Sequence, residues 1–485
     1  MQGRRSGGWG TISSGILTGI STAAVSGSAA VAGVILSRKF GHGVKTDGFF
    51  AAYQLYLAVV LLASVVRVVA LPPLVRARAD GRLAAETGVW TAALGGPLLL
   101  VVVVSLAWPH GLADVLTARQ AARPYAGELL PWVMASSAAQ VVGGLVASAL
   151  AALDDYVAAA FGFAAGSVAG LVVTVALLSH GLIAFGWGIA VNGAVSLLWP
   201  LGELIRRRGI GFPDRAPWGR LLELTEGVML PVALQLLFVI GSYFASGLGS
   251  GDQTTFSYAY LIAAFFVSLT ATSLALVTTA PFAREGESPE RAGTHVVAAT
   301  WLSLVPVAAA AGVFALAGAV VTRHVLGQAY GGGTGAELSH LVVYLAPWMV
   351  ASVALTIAYP LLFVGGRARW LPPLAAGALL LQLLVEWAGR AAFGLAGVAA
   401  GMAITTAAVL AAVLLGLRAL RLTLRGVAIS AVVCGGVAAV AFGASRAVLG
   451  PVSAAVVGLA LYAVAVGLWR PPGLRHAWAY VRALQ

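Results

Sequence analysis

Cationic side chains inside or beside long apolar segments are the residues best suited to chemistry in this sequence. Arg67 lies within an apolar run, where an ionisable group is costly. Arg38, Lys39 and Lys45 crowd a short polar segment together with Asp47. Because guanidinium and ammonium groups bind phosphate, we expect a binding site for an anionic head group, with Asp47 orienting the loop cations. The alternatives are a solvated loop and an arginine whose charged end reaches the membrane surface.

The sequence offers little for catalysis. Lys39 and Lys45 are the only lysines, and neither belongs to a glycine-rich phosphate loop. The seven histidines are scattered, and the single cysteine, Cys434, lies inside an apolar run. We therefore expect no enzymatic activity, no cofactor and no metal site.

Composition indicates the elements that must hold these cations. Of all residues, 60% are hydrophobic and only 9% are charged, against about 25% charged in a soluble domain. The apolar runs last roughly 20 residues and do not alternate with polar residues, which favours helices over a membrane barrel. The net charge of +12 comes from arginines in short loops, which are typical orientation signals and do not indicate nucleic-acid binding. The sequence therefore predicts an all-α polytopic membrane protein.

About fourteen transmembrane helices are expected. They cover residues 13–37, 49–73, 88–108, 127–152, 156–178, 181–204, 222–248, 255–281, 294–320, 338–363, 369–388, 393–417, 426–446 and 451–469. With the N-terminus inside, inner segments hold twenty Lys and Arg residues and outer segments hold eight. This bias predicts that both termini are cytoplasmic.

The two halves of the chain repeat. Short identical blocks recur in order at offsets of 208, 216 and 208 residues. They pair Thr46 with Thr254, Pro131-Trp132 with Pro347-Trp348, and Phe185-Gly186 with Phe393-Gly394. Each copy contains six spans, so the repeat is parallel, and the cleft between two such lobes is the expected substrate path.

These offsets predict four parts. Residues 1–205 form an N-terminal six-helix lobe, 206–221 a cytoplasmic linker, 222–420 a C-terminal six-helix lobe, and 421–485 an extra helix pair with a cytoplasmic tail. Within the second lobe, Glu386 and Arg390 stand four residues apart and are interpreted as an ordinary helical ion pair.

Two stretches of the chain carry specific motifs. They are Phe40-Gly41 with Thr46-Asp47-Gly48-Phe49-Phe50, and Ala245-Ser246-Gly247-Leu248 with Ser257-Tyr258-Ala259-Tyr260. Both resemble the MviN family of lipid II flippases, in which the first stretch reads FG…TDAFF. That family belongs to the multidrug/oligosaccharidyl-lipid/polysaccharide exporter (MOP) superfamily. The resemblance implies fourteen helices in two six-helix lobes plus a final pair. It also implies a flippase or exporter of a polyprenyl-linked cell-wall glycan, such as lipid II, working by alternating access in the bacterial cytoplasmic membrane.

The chain departs from the family at its charged cavity positions. Where the family carries arginines in helices one and two and an Asp-Arg pair in helix eight, this chain has Ser26 and Ala32, Val60 and Leu61, and Tyr260 and Leu261. Two alternatives therefore remain: a drug/ion antiporter of the same superfamily, and a degenerate, non-transporting scaffold in cell-wall synthesis. The expected partners are a lipid-linked anionic glycan, membrane lipids and an unidentified coupling ion, and the protein is expected to be a monomer.

Overall fold

The apolar segments form helices throughout the part of the chain that is described. The computed structural model describes residues 9–272, 288–364 and 367–483, and its regular elements there are helical. The helices are α1 (Trp9–Phe40), α2 (Val44–Ala79), α3 (Leu83–Ala107), α4 (Pro109–Leu116), α5 (Arg123–Ala152), α6 (Val157–Ala176), α7 (Ile183–Arg206), α8 (Trp218–Ser246), α9 (Asp252–Val267), α10 (Pro289–Leu326), α11 (Gly333–Tyr344), α12 (Ala346–Val364), α13 (Leu371–Gly416), α14 (Leu420–Val448), α15 (Pro451–Trp469) and α16 (Pro472–Ala483). Short 3₁₀ turns, and a π-helical turn over Ser268–Thr272, connect or extend them.

The membrane spans agree with the predicted all-α polytopic class. In the described residues, eleven helices are long and apolar enough to cross a bilayer, or twelve if α11 and α12, bent by 42°, form one span. The remaining two predicted spans are the first, which falls on the 32-residue α1 and is not among these eleven, and a second span within α13, which is counted once. The 46 residues of α13 would extend about 69 Å, more than twice the bilayer core. The backbone breaks at Gly394, with φ 57° and ψ −134°, so α13 supplies two spans. Residues 273–281 of the predicted eighth span lie outside the described residues.

The chain divides into two compact units, and the boundary falls inside α8. The first unit contains Met1–Phe40 and Val44–Gln235, and the second contains Gly41–Gly43 and Leu236–Gln485. In the first unit, α2 packs on α5, α5 on α7, and α6 on both α7 and α1. Gly144 of α5 lies against the backbone of Ala63 in α2, since a Cβ there would be 2.8 Å from the Ala63 oxygen. The predicted boundaries at residues 205, 221 and 420 remain a prediction.

The polar segment between α7 and α8 is held against α3 of the first unit. The Gly211 amide donates a hydrogen bond to the Ala84 carbonyl over 3.0 Å. The buried Glu86 carboxylate accepts hydrogen bonds from the guanidinium groups of Arg215 and Arg220, the second at 2.8 Å. We call this contact the linker latch.

In the second unit, α10 is the central helix. It begins with Ser288, whose hydroxyl accepts a hydrogen bond from the Arg291 amide, followed by Pro289 in the first turn. It packs on α14, α15 and α16, and the Tyr462 hydroxyl of α15 donates to the Val305 carbonyl at 3.1 Å. The predicted extra helix pair therefore forms the antiparallel hairpin α14–α15 against α10.

The order of elements also repeats. Helix α2 begins at Val44 and α9 begins at Asp252, an offset of 208 residues. The α6–α7 connection has Gly181 at φ 86°, and the break in α13 has Gly394 at φ 57°, both in the left-handed region that favours glycine. The parallel relation of the two copies remains a prediction.

Candidate functional site

The predicted loop cations gather at the turn between α1 and α2. Arg38 and Lys39 lie in the last turn of α1, and Lys45 lies in the first turn of α2. All three side chains are exposed. Gly41 allows the tight connection because its φ is 72°. These three cations therefore form one basic turn, which we call the α1–α2 basic turn.

Asp47 has a different environment. It lies in the first turn of α2, where the helix dipole favours an acid, and its exposed fraction is 0%. The next residue, Gly48, contacts the start of α5 so closely that a Cβ would lie 2.6 Å from the Tyr125 Cβ. The TDAFF signature has Ala at this position. Gly48 has no Cβ, and α5 packs close to α2 here. The carboxylate of Asp47 is thus part of the packed end of α2, whereas its predicted neighbours are exposed.

Arg67 is distant from the α1–α2 basic turn. It lies 22 residues beyond Lys45 on the same helix, or about 33 Å along the axis. Its side chain is exposed, and its guanidinium carbon lies 4.5 Å from the centre of the Phe163 ring on α6. Among the described residues, no carboxylate pairs with it. A cation held by an aromatic face in this way can still accept an anionic ligand.

Sequence reasoning missed a buried carboxylate in the second unit. Glu386 of α13 has an exposed fraction of 0%. It does not pair with Arg390, so the interpretation of these two residues as a helical ion pair is wrong. The Arg390 guanidinium instead lies beside Gly247, with Nη1 2.9 Å from the position of a Cβ there. The Glu386 Oε1 atom accepts a hydrogen bond of 2.5 Å from Gln382, and Oε2 has no hydrogen-bond partner among the described residues.

Helix packing places more oxygen atoms around Glu386. The two halves of α13 run antiparallel and touch through Gly389 and Gly397, and one turn away Gly401 faces the Glu386 carboxyl group. From this register we infer that Thr405 lies opposite Gln382 one turn further along the two halves. Thr405 Oγ1 and Gln382 Oε1 are buried and, like Glu386 Oε2, lack hydrogen-bond partners in the described part of the chain. We call Gln382, Glu386 and Thr405 the α13 polar pocket.

The α13 polar pocket can bind a proton or a small cation. A buried carboxylate without a cationic partner is costly, so it carries a proton or a bound cation. Carboxylate, amide and hydroxyl oxygens are suitable ligands for hard cations. One sequence signal could have identified this pocket: an acid and an amide four residues apart in an otherwise apolar span, facing small residues of the following span.

An apolar groove lies between α14 and α15. Its volume is about 480 Å³, and its lining includes Gly436, Val440, Ala444 and Leu461. Gly436 leaves open space because it has no side chain, and a Cβ there would meet nothing within 4 Å. Such a groove suits a hydrocarbon chain.

Sequence comparisons give no relatives for this chain. No family model matches it, and no curated protein matches it.

Solved structures are similar over most of the chain. A lipid II flippase, MurJ, in an inward closed conformation aligns with a TM-score of 0.75 and 13% identity, covering 94% of this chain and 99% of that one. An inward-facing multidrug resistance MATE transporter of the MOP superfamily has a TM-score of 0.65 and 16% identity, covering 82% of this chain and 94% of its own. A MOP superfamily transporter from Pyrococcus furiosus has a TM-score of 0.61 and 16% identity, covering 83% and 93%. These neighbours are described as a flippase and as transporters. At such identities the similarity establishes architecture, and the chain has the fold of the MOP superfamily transporters.

Proposed function

We propose that the protein is a flippase or exporter of a lipid-linked anionic glycan precursor, either peptidoglycan lipid II or a related polyprenyl-linked cell-wall glycan. The observation that carries this proposal is Arg67, an exposed arginine within a membrane-spanning helix that no described carboxylate neutralises. Such a charge is costly in a membrane unless an anion or water meets it. The extensive similarity to a lipid II flippase supports an anionic lipid as that partner.

Three features suit two chemical parts of such a substrate, its phosphate groups and its polyprenyl chain. Arg67 and the α1–α2 basic turn supply cations for phosphate at two depths along α2, about 33 Å apart. The α14–α15 groove supplies an apolar surface for a polyprenyl chain. The head group would bind at one depth in the inward-open conformation and at the other in the outward-open conformation. Each conformation would then have its own affinity for the head group, as alternating access requires.

The α13 polar pocket supplies the coupling group of this proposal. Export needs a source of energy, and no phosphate loop occurs in the sequence. Protonation or cation binding at Glu386 would change a fully buried charge, so it would shift the balance between conformations. The coupling ion is therefore a proton or a small monovalent cation.

The same pocket favours a second candidate function. A drug/ion antiporter requires a buried acid to exchange an ion for a cationic substrate, and Glu386 meets that requirement. An antiporter would not need Arg67 to be cationic. Neutralising Arg67 therefore separates the two candidates.

The experiment is flipping of a fluorescent polyprenyl-pyrophosphate glycan in proteoliposomes. We expect Arg67→Gln to reduce the rate at least tenfold, since it removes a charge-assisted contact of about 1.5–3 kcal/mol. Arg76→Gln, an exposed arginine nine residues further along α2, is the matched control and should retain the rate.

Each alternative has its own outcome. If Arg67→Gln flips the glycan as fast as the wild type, the anionic head-group role is wrong. If the wild type flips none but exchanges cationic drugs for ions, the antiporter replaces the flippase. If it does neither while correctly folded, the protein is a scaffold.

A further inference from the structure

One end of the second unit concentrates arginines. Helices α14 and α15 form an antiparallel hairpin, so the start of α14 and the end of α15 lie at the same end. The end of α13 joins them there, because α14 begins four residues after α13 stops. Exposed arginines at this end include Arg418, Arg421, Arg425, Arg470, Arg475 and Arg482. We call this group the basic end.

The helices that carry the basic end pack against the N-terminal part of α10. Gly293 lies against Leu422 of α14, with a potential Cβ at 3.0 Å from that side chain. On α16, Gly473 lies against Trp301, and the Tyr480 hydroxyl is 3.3 Å from His295 Nδ1. The same stretch of α10 therefore fixes both basic segments, and the arginines form one surface.

Two arginines of this surface adopt an unfavourable backbone conformation. Arg418 follows α13 with φ 57°, and Arg470 follows α15 with φ 43°. Glycine is the residue that normally ends a helix in this left-handed conformation, because a Cβ is strained there. The same conformation occurs at Asp154 and Arg208 in the first unit, so at Arg418 and Arg470 it shows that glycine would suit both positions.

The last helix adds an interfacial character. In α16, Ala477 is buried while Trp478 and Arg482 are exposed, so the helix has an apolar and a basic side. The Arg482 guanidinium carbon lies 5.2 Å from the centre of the Trp478 ring. Trp469 at the end of α15 is also exposed. Arginine beside tryptophan is typical of helices that lie at the head-group level of a bilayer.

Counted over the described residues, this end is positively charged. Glu290, in the first turn of α10, is the carboxylate that the described residues contribute beside it. The opposite end of the second unit is mixed, with Arg323 and Arg446 accompanied by Asp252 and Glu337. Of these two ends of the second unit, as far as its residues are described, the basic end has the charge that complements an acidic surface.

We propose that the basic end binds the head groups of anionic phospholipids, and that α16 lies in the plane of that leaflet as an anchor. Each arginine near an anionic membrane surface contributes a modest attraction that falls off within a Debye length. Several arginines fixed on one rigid surface add their attractions without ordering a flexible segment. The anchor stabilises the second unit in membranes rich in acidic lipid, whichever substrate is carried.

The test compares phosphatidylglycerol with phosphatidylcholine as additives to the full chain in neutral detergent. We expect phosphatidylglycerol to raise the midpoint of thermal unfolding more than phosphatidylcholine does, and high salt to reduce the difference. The variant Arg418→Gly/Arg470→Gly should fold without loss of stability, because glycine suits both positions. Its apparent affinity for phosphatidylglycerol should fall about fivefold for each arginine removed.

The matched control is Arg323→Gln/Arg446→Gln, which removes the same charge from the opposite end. It should keep the response to phosphatidylglycerol. The proposal is overturned if the two lipids stabilise the wild type equally. It is also overturned if the control variant loses as much affinity as the variant of the basic end.

Discussion

Glu386 shows what a sequence pattern does and does not determine about a single residue. The spacing of Glu386 and Arg390 allows an ion pair on one helix, but spacing does not define which face of the helix is buried. Gly397 and Gly401 let the second half of α13 approach the first, and this contact encloses Glu386 while Arg390 reaches toward Gly247. The identity of the buried acid depends on this tertiary contact, whereas the exposed cations of the α1–α2 basic turn could be located from the sequence.

The role of Glu386 as a coupling group leads to a prediction. Glu386→Gln conserves shape and the contact with Gln382 but removes the titratable charge, so the protein should fold while transport loses its dependence on an ion gradient. Thr405→Val should weaken that dependence without abolishing it, since it removes one of three oxygens. Transport into proteoliposomes is measured with an imposed proton or sodium gradient. Glu337→Gln, which changes an exposed acid of α11, is the control. Unaltered gradient dependence in Glu386→Gln would exclude the coupling role.

Gly48 leads to a stability prediction. An alanine Cβ would lie 2.7 Å from the Ala122 carbonyl oxygen, which belongs to the backbone and cannot move cheaply. We expect Gly48→Ala to lower the free energy of unfolding by roughly 1–3 kcal/mol. Gly95→Ala in α3 is the control, because a Cβ there meets nothing within 4 Å. It should stabilise the helix slightly, by about 0.5–1 kcal/mol. Thermal unfolding in detergent compares them, and a more stable Gly48→Ala would contradict the close packing of α2 on α5.

At the scale of elements, the positions of the helices were largely predictable and their breaks were not. Apolar runs long enough to span a bilayer leave few alternatives to helix, so the segments 127–152 and 451–469 nearly coincide with α5 and α15. The 338–363 segment was predicted as one span, but the structure bends it by 42° between α11 and α12. Hydropathy is insensitive to such a bend, because both parts are apolar.

The linker latch gives the prediction at this scale. Glu86 is buried and binds Arg215 of the segment between α7 and α8 and Arg220 in the first turn of α8. The Arg220 guanidinium carbon also lies 5.5 Å from the centre of the Trp90 ring. Glu86→Gln would remove the carboxylate that binds Arg215 and one of the two that bind Arg220, so we expect it to lower the free energy of unfolding by roughly 1–3 kcal/mol. We also expect faster trypsin cleavage after Arg215. Glu223→Gln is the matched control, because this exposed acid pairs with Arg220 and, among the residues that the structure describes, with no other cation. Equal cleavage rates in Glu86→Gln and the wild type would show that the latch does not hold the segment.

At the scale of the whole molecule, the repeat in the sequence has a counterpart in the order of elements. An offset of 208 residues relates Thr46 to Thr254, and the same offset relates the starts of α2 and α9. Repetition could be predicted because both copies must satisfy the same packing rules with similar residues. The boundary between the compact units was harder to predict from the sequence, because it falls within the continuous helix α8, where the composition does not change.

Membrane topology is the prediction for the whole chain. Twenty inner against eight outer cations predict that both termini face the cytoplasm, because positively charged loops are retained on that side. The hairpin α14–α15 then carries its turn at Gly450 to the outside. In a Cys434→Ser background, a membrane-impermeant thiol reagent added to intact cells should label Gly450→Cys and should not label Gln485→Cys. Both variants should react after permeabilisation, which controls for accessibility. The reverse labelling pattern would invert the topology, and with it would place the basic end on the outer leaflet.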